Sequence, residues 1–170
     1  MTPRFLTRAC ALLVLLALPA VASAQGAKLQ LDHLNRLASK ASETVDVTLD
    51  EAMLKVSSGL LASKDADAAK FQQVIQGITG VYVKSFKFDA PGAYTDADVE
   101  AVRKQVAGAG WSRIVGVREK DELNEVYLWK DGGLVVISAE KDELTVVNIV
   151  GRVDLASLAV LGPMIPKLGK

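Results

Sequence analysis

Residues 111–150 alternate between short β-prone runs and turns, and this pattern restricts the fold more than any other part of the chain. The runs read WSRIVGV, NEVYLWK, LVVISA and LTVVNIV, and they are separated by REKDEL, DGG and EKDE. Turn-forming residues at such short intervals favour antiparallel hairpins, because a parallel connection needs about a dozen residues or more. The sequence therefore predicts a four-strand antiparallel meander in its C-terminal half.

Each run of this meander is apolar on both sides, although successive side chains of a strand point to opposite faces. An antiparallel sheet with one wet face needs only one apolar side per strand. One of the two alternating sets is therefore our candidate interaction face. Its members are Val115, Val117, Tyr127, Trp129, Val135, Ile137, Val147 and Ile149.

Three explanations for the second apolar side remain open at this stage. Helices could cover both faces of the sheet. The second face could bind another envelope protein or a second copy of the chain, since large exposed apolar patches are rare on monomers. The sheet and helices could instead enclose a pocket for an apolar or lipid-like ligand.

The chain before the meander predicts helices and two further strands. Apolar residues at helical or alternating spacing indicate these elements. The predicted helices cover 31–41, the segment from the Thr48 cap to about 63, 64–77 and about 96–107. The predicted strands cover 45–49 and 80–89, and a short closing helix follows Asp154. Helices early and a strand meander late favour an α+β fold: one mainly antiparallel sheet with helices packed on one face, in a single domain.

Two of these helices begin with the spacing of a capping box, a Thr followed three positions later by an acidic residue. The pairs are Thr48 with Glu51 and Thr95 with Asp98. The stripes expected to be buried on these helices are Met53, Val56 and Leu60 on the first, and Val99, Val102 and Val106 on the second.

The first 24 residues have the pattern of a cleaved secretory signal peptide. Arg4 and Arg8 precede an apolar run from Ala9 to Leu18, and small residues at 22–24 favour cleavage before Gln25. The apolar run is shorter than the roughly 20 residues that span a bilayer. We therefore expect a bacterial periplasmic or secreted protein whose mature domain covers 25–170, with residues 25–29 and 164–170 loose and no transmembrane segment after cleavage.

Cleavage would also change the chemistry of the chain. It removes Cys10, the only cysteine, together with two of the 20 basic residues and none of the 20 acidic ones, so the mature chain carries a net charge of −2. That charge is no signature of nucleic-acid binding. With His33 as the only histidine, Cys-His catalysis and clustered histidine metal sites are excluded.

Carboxylates are the remaining candidates for chemistry. Asp65 with Asp67, and Asp96 with Asp98, form two closely spaced pairs. Both pairs lie at predicted helix starts, where acidic side chains cap exposed amides and meet the positive end of the helix dipole. We therefore predict no catalytic residue, no cofactor and no metal site, and regard a carboxylate-dependent hydrolase as the weakest hypothesis.

Asn148 interrupts the apolar pattern of the last run. A buried amide must find partners, because an unsatisfied polar group costs about 1–3 kcal/mol. Ser138 on the preceding strand, or backbone near Gly151, could supply them. We expect a structural amide rather than a ligand contact.

Four segments of the chain resemble a known family. They read VDVTLDEAML, GVYVKSFKFDAPGAYTDADVEAVRKQ, GWSRIVGV and ELTVVNIVGRVDL, and they are similar to the signature blocks of the domain-of-unknown-function 4252 family. The resemblance covers nearly the whole mature chain and implies an exported bacterial protein of the cell envelope. It implies no activity. Our hypothesis is a non-enzymatic binding module, with a carrier of a small apolar ligand as the alternative.

Overall fold

The computed structural model describes residues 26–60 and 77–153 of the 170-residue chain. The described elements are a 3₁₀ helix Asp32–Lys40, β1 Glu43–Asp50, α1 Glu51–Leu60, β2 Ile78–Lys87, α2 Asp96–Val106, β3 Trp111–Glu119, β4 Glu122–Trp129, β5 Gly133–Ala139 and β6 Glu143–Gly151. Three predicted features lie outside the described residues: the helix 64–77 except for residue 77, the closing helix after Asp154, and the tail 164–170.

The six strands form one sheet in the order β1-β2-β6-β5-β4-β3, and every neighbouring pair is antiparallel. Strands β3 to β6 are the predicted C-terminal meander, so this part of the prediction is confirmed, as is the α+β class. The two N-terminal strands extend the sheet beyond β6. As a result β1 and β3 are its edge strands.

The register divides the side chains between two faces, which we name after one residue of each. The Phe86 face is covered by the 3₁₀ helix and α2. Its buried core comprises Leu29, Leu31, Leu34, Leu37, Phe86, Phe88, Val99, Val102, Val106, Tyr127, Val135, Ile137, Ala139, Leu144 and Val146. The Val147 face carries a second buried cluster of Leu54, Ile78, Val126, Leu134, Val136, Val147 and Ile149.

Helix α1 contacts the Val147 face through Leu54, its one buried side chain among those described. The stripe predicted for this helix is wrong, because Met53 and Val56 are 51% and 65% exposed. The capping residue of this helix lies two positions later than predicted. Asp50 rather than Thr48 caps it, accepting the N–H of Met53 at 2.8 Å, since β1 extends to Asp50.

Helix α2 follows the prediction closely. The Asp98 carboxylate accepts the backbone N–H of Thr95 at 2.8 Å and its hydroxyl at 2.9 Å, which is the carboxylate half of a capping box. Val99, Val102 and Val106 are buried. These three side chains seat α2 on the Phe86 face.

The segment before the 3₁₀ helix is part of the core. Ala27, Leu29 and Leu31 are buried, and they alternate with the exposed Lys28 and Gln30. The prediction that residues 25–29 are loose therefore does not hold for 27–29. This segment, Ala27–Leu31, is called the N-terminal strap below.

Asn148 is fully buried beneath the strap. Its carboxamide oxygen accepts the N–H of Leu29 at 2.9 Å, and its amide nitrogen donates to the carbonyl of Ala27 at 2.7 Å. Ser138 is not its partner, because Ser138 pairs with Thr145 and projects from the other face. The expectation of a satisfied buried amide is confirmed, with strap backbone in place of the predicted partners.

Candidate interaction surface

The register places the eight residues of the candidate interaction face on two sides of the sheet. Tyr127 and Val135 pair with each other and, with Ile137, lie on the Phe86 face, and strand alternation adds Trp129. The other four, Val115, Val117, Val147 and Ile149, lie on the Val147 face. The bulge between Arg113 and Val115 and the turns between strands shift the alternation, and neither shift is visible in the sequence.

Five of the eight are core residues. Val135 and Ile137 are fully buried, and Val147, Ile149 and Tyr127 are at most 9% exposed within a single chain. Side chains enclosed to this degree cannot contact a partner without unfolding the sheet. They therefore do not contribute to a docking surface.

Among the described residues, most of the exposed large apolar side chains of the sheet lie on β3. Ile114, Val115 and Val117 are 48%, 41% and 46% exposed, and every residue of β3 after Trp111 is exposed. In the described part of the chain, β4 is the only strand that pairs with β3, so the other edge of this nine-residue strand has no neighbour. We call this edge, with Ile114, Val115 and Val117, the β3 edge.

A buried carboxylate fixes β3 to the rest of the fold. The Glu125 side chain, 1% exposed, accepts Nε and Nη2 of Arg103 at 2.7 and 2.5 Å, and Nη1 of Arg113 at 3.0 Å. Tyr127 donates its hydroxyl to the same carboxylate at 3.0 Å. Arg103 comes from α2 and Arg113 from β3, so one charge on β4 joins three elements. Sequence reasoning missed this network because its members are far apart along the chain.

The hydrogen bonds from Arg103 hold the pKa of Glu125 below its ordinary value and outweigh the effect of burial, with Tyr127 and Arg113 acting in the same direction. For Asp98, burial raises the pKa. The hydrogen bonds from Thr95 and the nearby Arg36 lower it by more than burial raises it, so the pKa of Asp98 is below the ordinary value. Both carboxylates are thus held ionised at neutral pH. They are structural anions rather than groups poised to exchange protons.

The remaining candidates for chemistry add little to this picture. Asp98 is committed to the helix cap and to Arg36, as the capping interpretation predicts, whereas Asp65 and Asp67 lie outside the described residues. Among residues 26–60 and 77–153, no group of three or more His, Asp or Glu side chains could hold a metal ion. His33 is half-buried, with its Nε2 enclosed and without a hydrogen-bond partner, so it is less exposed than its polar helix position suggests.

Three open cavities border the described residues, and their chemistry bears on the carrier alternative. One of about 480 Å³ lies between α2 and the β3–β4 turn, and charged side chains such as Glu100, Arg103 and Arg118 dominate its lining. One of about 590 Å³ lies beside Trp129 and Arg152. A smaller one of about 190 Å³ lies between the strap and Tyr82. Pockets for apolar ligands are concave and mostly apolar, and the first of these cavities does not have that character, because its lining is mostly polar.

Comparison with known proteins places the chain in a family. Residues 39–161 match the model of a domain of unknown function, DUF4252. The match covers most of the chain, so the protein belongs to this family. No curated protein and no solved structure matches it. In the described part of the chain, no helix has both the length and the apolar character that a membrane crossing requires.

Proposed function

We propose that this protein is a non-enzymatic interaction module of the bacterial cell envelope, and that two copies associate by pairing their β3 edges. The observation that supports the proposal is the combination on β3 of three exposed apolar side chains and an edge that pairs with no other strand in the described part of the chain. The envelope location rests on the signal-peptide pattern of residues 1–24.

An edge strand presents a row of unpaired N–H and C=O groups that can accept another strand. Proteins usually blunt a long edge with charges, bulges or a covering loop. The β3 edge has a bulge and the charged Arg118. It nevertheless exposes three apolar side chains that lie within four positions of one another, Ile114, Val115 and Val117. Pairing with a second strand would satisfy the backbone groups and cover these side chains together.

A second copy of the chain suits this edge because the sequence around Gly116 is nearly self-complementary. Antiparallel pairing centred on Gly116 would oppose Val115 of one copy to Val117 of the other, twice. Such an arrangement is two-fold symmetric and closed, the commonest form of soluble oligomer. Opposed β-branched pairs stabilise a sheet by about 0.2–1 kcal/mol each.

The described carboxylates support a role without catalysis. Glu125 and Asp98 are both paired with arginine and hydrogen-bonded by structural donors. The mature chain would offer one histidine and no cysteine as further nucleophile or base. These interactions stabilise the fold, as expected for a scaffold that binds a partner.

The test is the mass in solution of the mature chain, measured by size-exclusion chromatography with light scattering over a wide range of concentrations. We expect a dimer for the wild type and a monomer for Val117→Lys, because a lysine at this edge disfavours strand pairing. Val45→Lys is the matched control. Val45 is also an exposed valine on the Val147 face, 42% exposed, but it lies on β1 at the opposite edge.

The two variants distinguish the possible outcomes. If Val45→Lys remains dimeric and Val117→Lys does not, the β3 edge is the interface. A wild type that stays monomeric at every concentration would refute self-association. A dimer that Val117→Lys leaves intact would place the interface elsewhere.

A further inference from the structure

The N-terminal strap lies in a groove formed by α2 and by strands β5 and β6, and it has the geometry of a bound peptide. Ala27, Leu29 and Leu31 point into the groove and are 5%, 4% and 6% exposed, while Lys28 and Gln30 point outward. This two-residue alternation is that of an extended strand. The strap nevertheless pairs with no strand of the sheet among the described residues.

Two amide side chains take the place of a neighbouring strand. Asn148 of β6 binds the N–H of Leu29 and the carbonyl of Ala27. On the opposite side, Gln105 of α2 accepts the N–H of Gln30 at 2.8 Å and donates to the carbonyl of the same residue at 2.9 Å. Four backbone groups of the strap are thereby bound from two sides, and none of these bonds depends on the identity of the strap side chains.

The groove selects for a small residue at one position. Gly133 faces Ala27 so closely that a Cβ atom on Gly133 would lie 2.4 Å from the Cβ of Ala27. The other atoms near such a Cβ, Trp129 Cβ and the carbonyl of Ile149, would be 3.2 and 3.4 Å away. Only the contact with Ala27 is prohibitive, so Gly133 and Ala27 form a matched pair.

The strap both covers Asn148 and satisfies its amide: Asn148 is fully buried with the strap in place, and its one other hydrogen bond among the described residues is a 3.4 Å contact to the carbonyl of Leu134. Displacement of the strap would open this amide and the apolar floor of the groove to water. An extended backbone is the occupant that satisfies the amide and covers the groove at the same time. In this structure the chain provides one itself.

We propose that this groove is a peptide-binding site that the strap of the same chain fills. Its ligands would be extended peptides with a small residue and with leucines two and four residues after it, as in Ala27, Leu29 and Leu31. The strap then acts as an intramolecular competitor. Because it is tethered, its effective concentration reaches about the millimolar range, and a peptide from another protein binds only when the strap is displaced. This site is separate from the β3 edge and does not depend on self-association.

The test uses the full mature chain with Gly133→Ala and two acetylated peptides that correspond to residues 26–32. One peptide has the native sequence GAKLQLD, and the other replaces the Ala27 equivalent by glycine. The new methyl group should expel the strap, so trypsin should cut after Lys28 about tenfold faster or more than in the wild type, since cleavage reports the population of the open state. Fluorescence anisotropy should then show binding of the glycine peptide and little binding of the alanine peptide.

The double variant Ala27→Gly/Gly133→Ala is the internal control. Without the Ala27 methyl group, the methyl group added at position 133 has nothing in the strap to clash with. The strap should therefore return to the groove, protection at Lys28 should recover and neither peptide should bind. The proposal is refuted if Gly133→Ala releases the strap while both peptides fail to bind, or if the strap stays protected in that variant.

A second variant is available if Gly133→Ala does not fold. Leu29→Lys disfavours the bound strap without altering the walls of the groove, and the native peptide should bind to this protein but not to the wild type. Failure of the native peptide to bind the folded Leu29→Lys protein would equally refute the proposal.

Discussion

The carboxamide of Asn148 accepts a hydrogen bond from the backbone N–H of Leu29 at 2.9 Å, although 119 positions separate the two residues in the sequence. The bond joins the N-terminal strap to β6, the last described strand of the sheet. It also explains why a polar side chain interrupts an otherwise apolar strand. The strap crosses above one face of the sheet, where the backbone groups of the strands cannot hydrogen-bond to it. The side-chain amide of Asn148 projects from that face and supplies the donor and the acceptor that a neighbouring strand would otherwise provide.

Replacement of Asn148 by leucine tests this role. The leucine would leave the carbonyl of Ala27 and the N–H of Leu29 without partners in a buried site. We expect a loss of about 2–3 kcal/mol in the free energy of unfolding, measured by urea denaturation. The dependence of that free energy on urea concentration should stay unchanged. Asn124→Leu is the control, because Asn124 is a half-buried asparagine on β4 that projects from the other face. Equal midpoints for the two variants would contradict the assignment.

The sequence predicted that Asn148 is buried and paired, but it predicted the wrong partners. Burial follows from the apolar alternation around the residue, which is a local pattern. The partner depends on which segment crosses the sheet above it, and that is a tertiary contact with no local signal. The same limit applies to the Glu125 network, whose arginines lie on α2 and β3.

The sequence predicts which strands pair, but it does not predict which side chains lie on the same face of the sheet. The meander was evident because its turns are short, and β3 to β6 pair as expected. Which side chains share a face depends on the register, and the bulge between Arg113 and Val115 changes it within a single strand. For the same reason the candidate interaction face divided between two faces, and only Val115 and Val117 of that set belong to the exposed β3 edge.

Glu125→Gln should alter the response of the protein to acid. The folded-state pKa of Glu125 is held low by Arg103, whereas an unfolded glutamate titrates near about 4.3. Below that pH the unfolded state binds a proton that the folded state does not, so stability is lost as the pH falls towards the folded-state pKa. The glutamine variant should be less stable at neutral pH by about 2–3 kcal/mol and should show a shallower decline in stability below about pH 4.3.

Urea denaturation at a series of pH values between neutral and acid measures both effects. Glu100→Gln is a matched control, because Glu100 also pairs with Arg103 but its side chain is 50% exposed. We expect this control to change stability by less than about 1 kcal/mol. A Glu125→Gln protein with the wild-type acid response would show that the buried carboxylate is not the group that titrates.

Tyr94 should give the opposite response at high pH. Burial raises its pKa to about 12, with Asp96, Glu140 and Asp142 adding to the effect, and its hydroxyl donates to the carbonyl of Glu140. An unfolded tyrosine titrates near about 10, so the stability due to this shift is complete below that pH and is lost as the pH rises towards about 12. Tyr94→Phe should therefore lose less stability than the wild type across this interval in urea denaturation. Parallel decline of the two proteins would contradict the shift.

Gly110 and Gly108 offer a direct test of backbone conformation at the end of α2. Gly110 has φ = +101°, and a Cβ on it would lie 2.5 Å from the ring of Trp129, whereas a Cβ on Gly108 would meet nothing within 4 Å. Gly110→Ala combines an unfavourable backbone conformation with a clash against a half-buried ring, so we expect a loss of about 2–3 kcal/mol in the free energy of unfolding. Gly108→Ala should change stability by less than about 1 kcal/mol. Both can be measured by urea denaturation followed through tryptophan fluorescence, because Trp129 packs against Trp111 with ring centroids 5.3 Å apart. If the two alanines prove equally tolerated, the turn that delivers the chain from α2 into β3 does not depend on glycine.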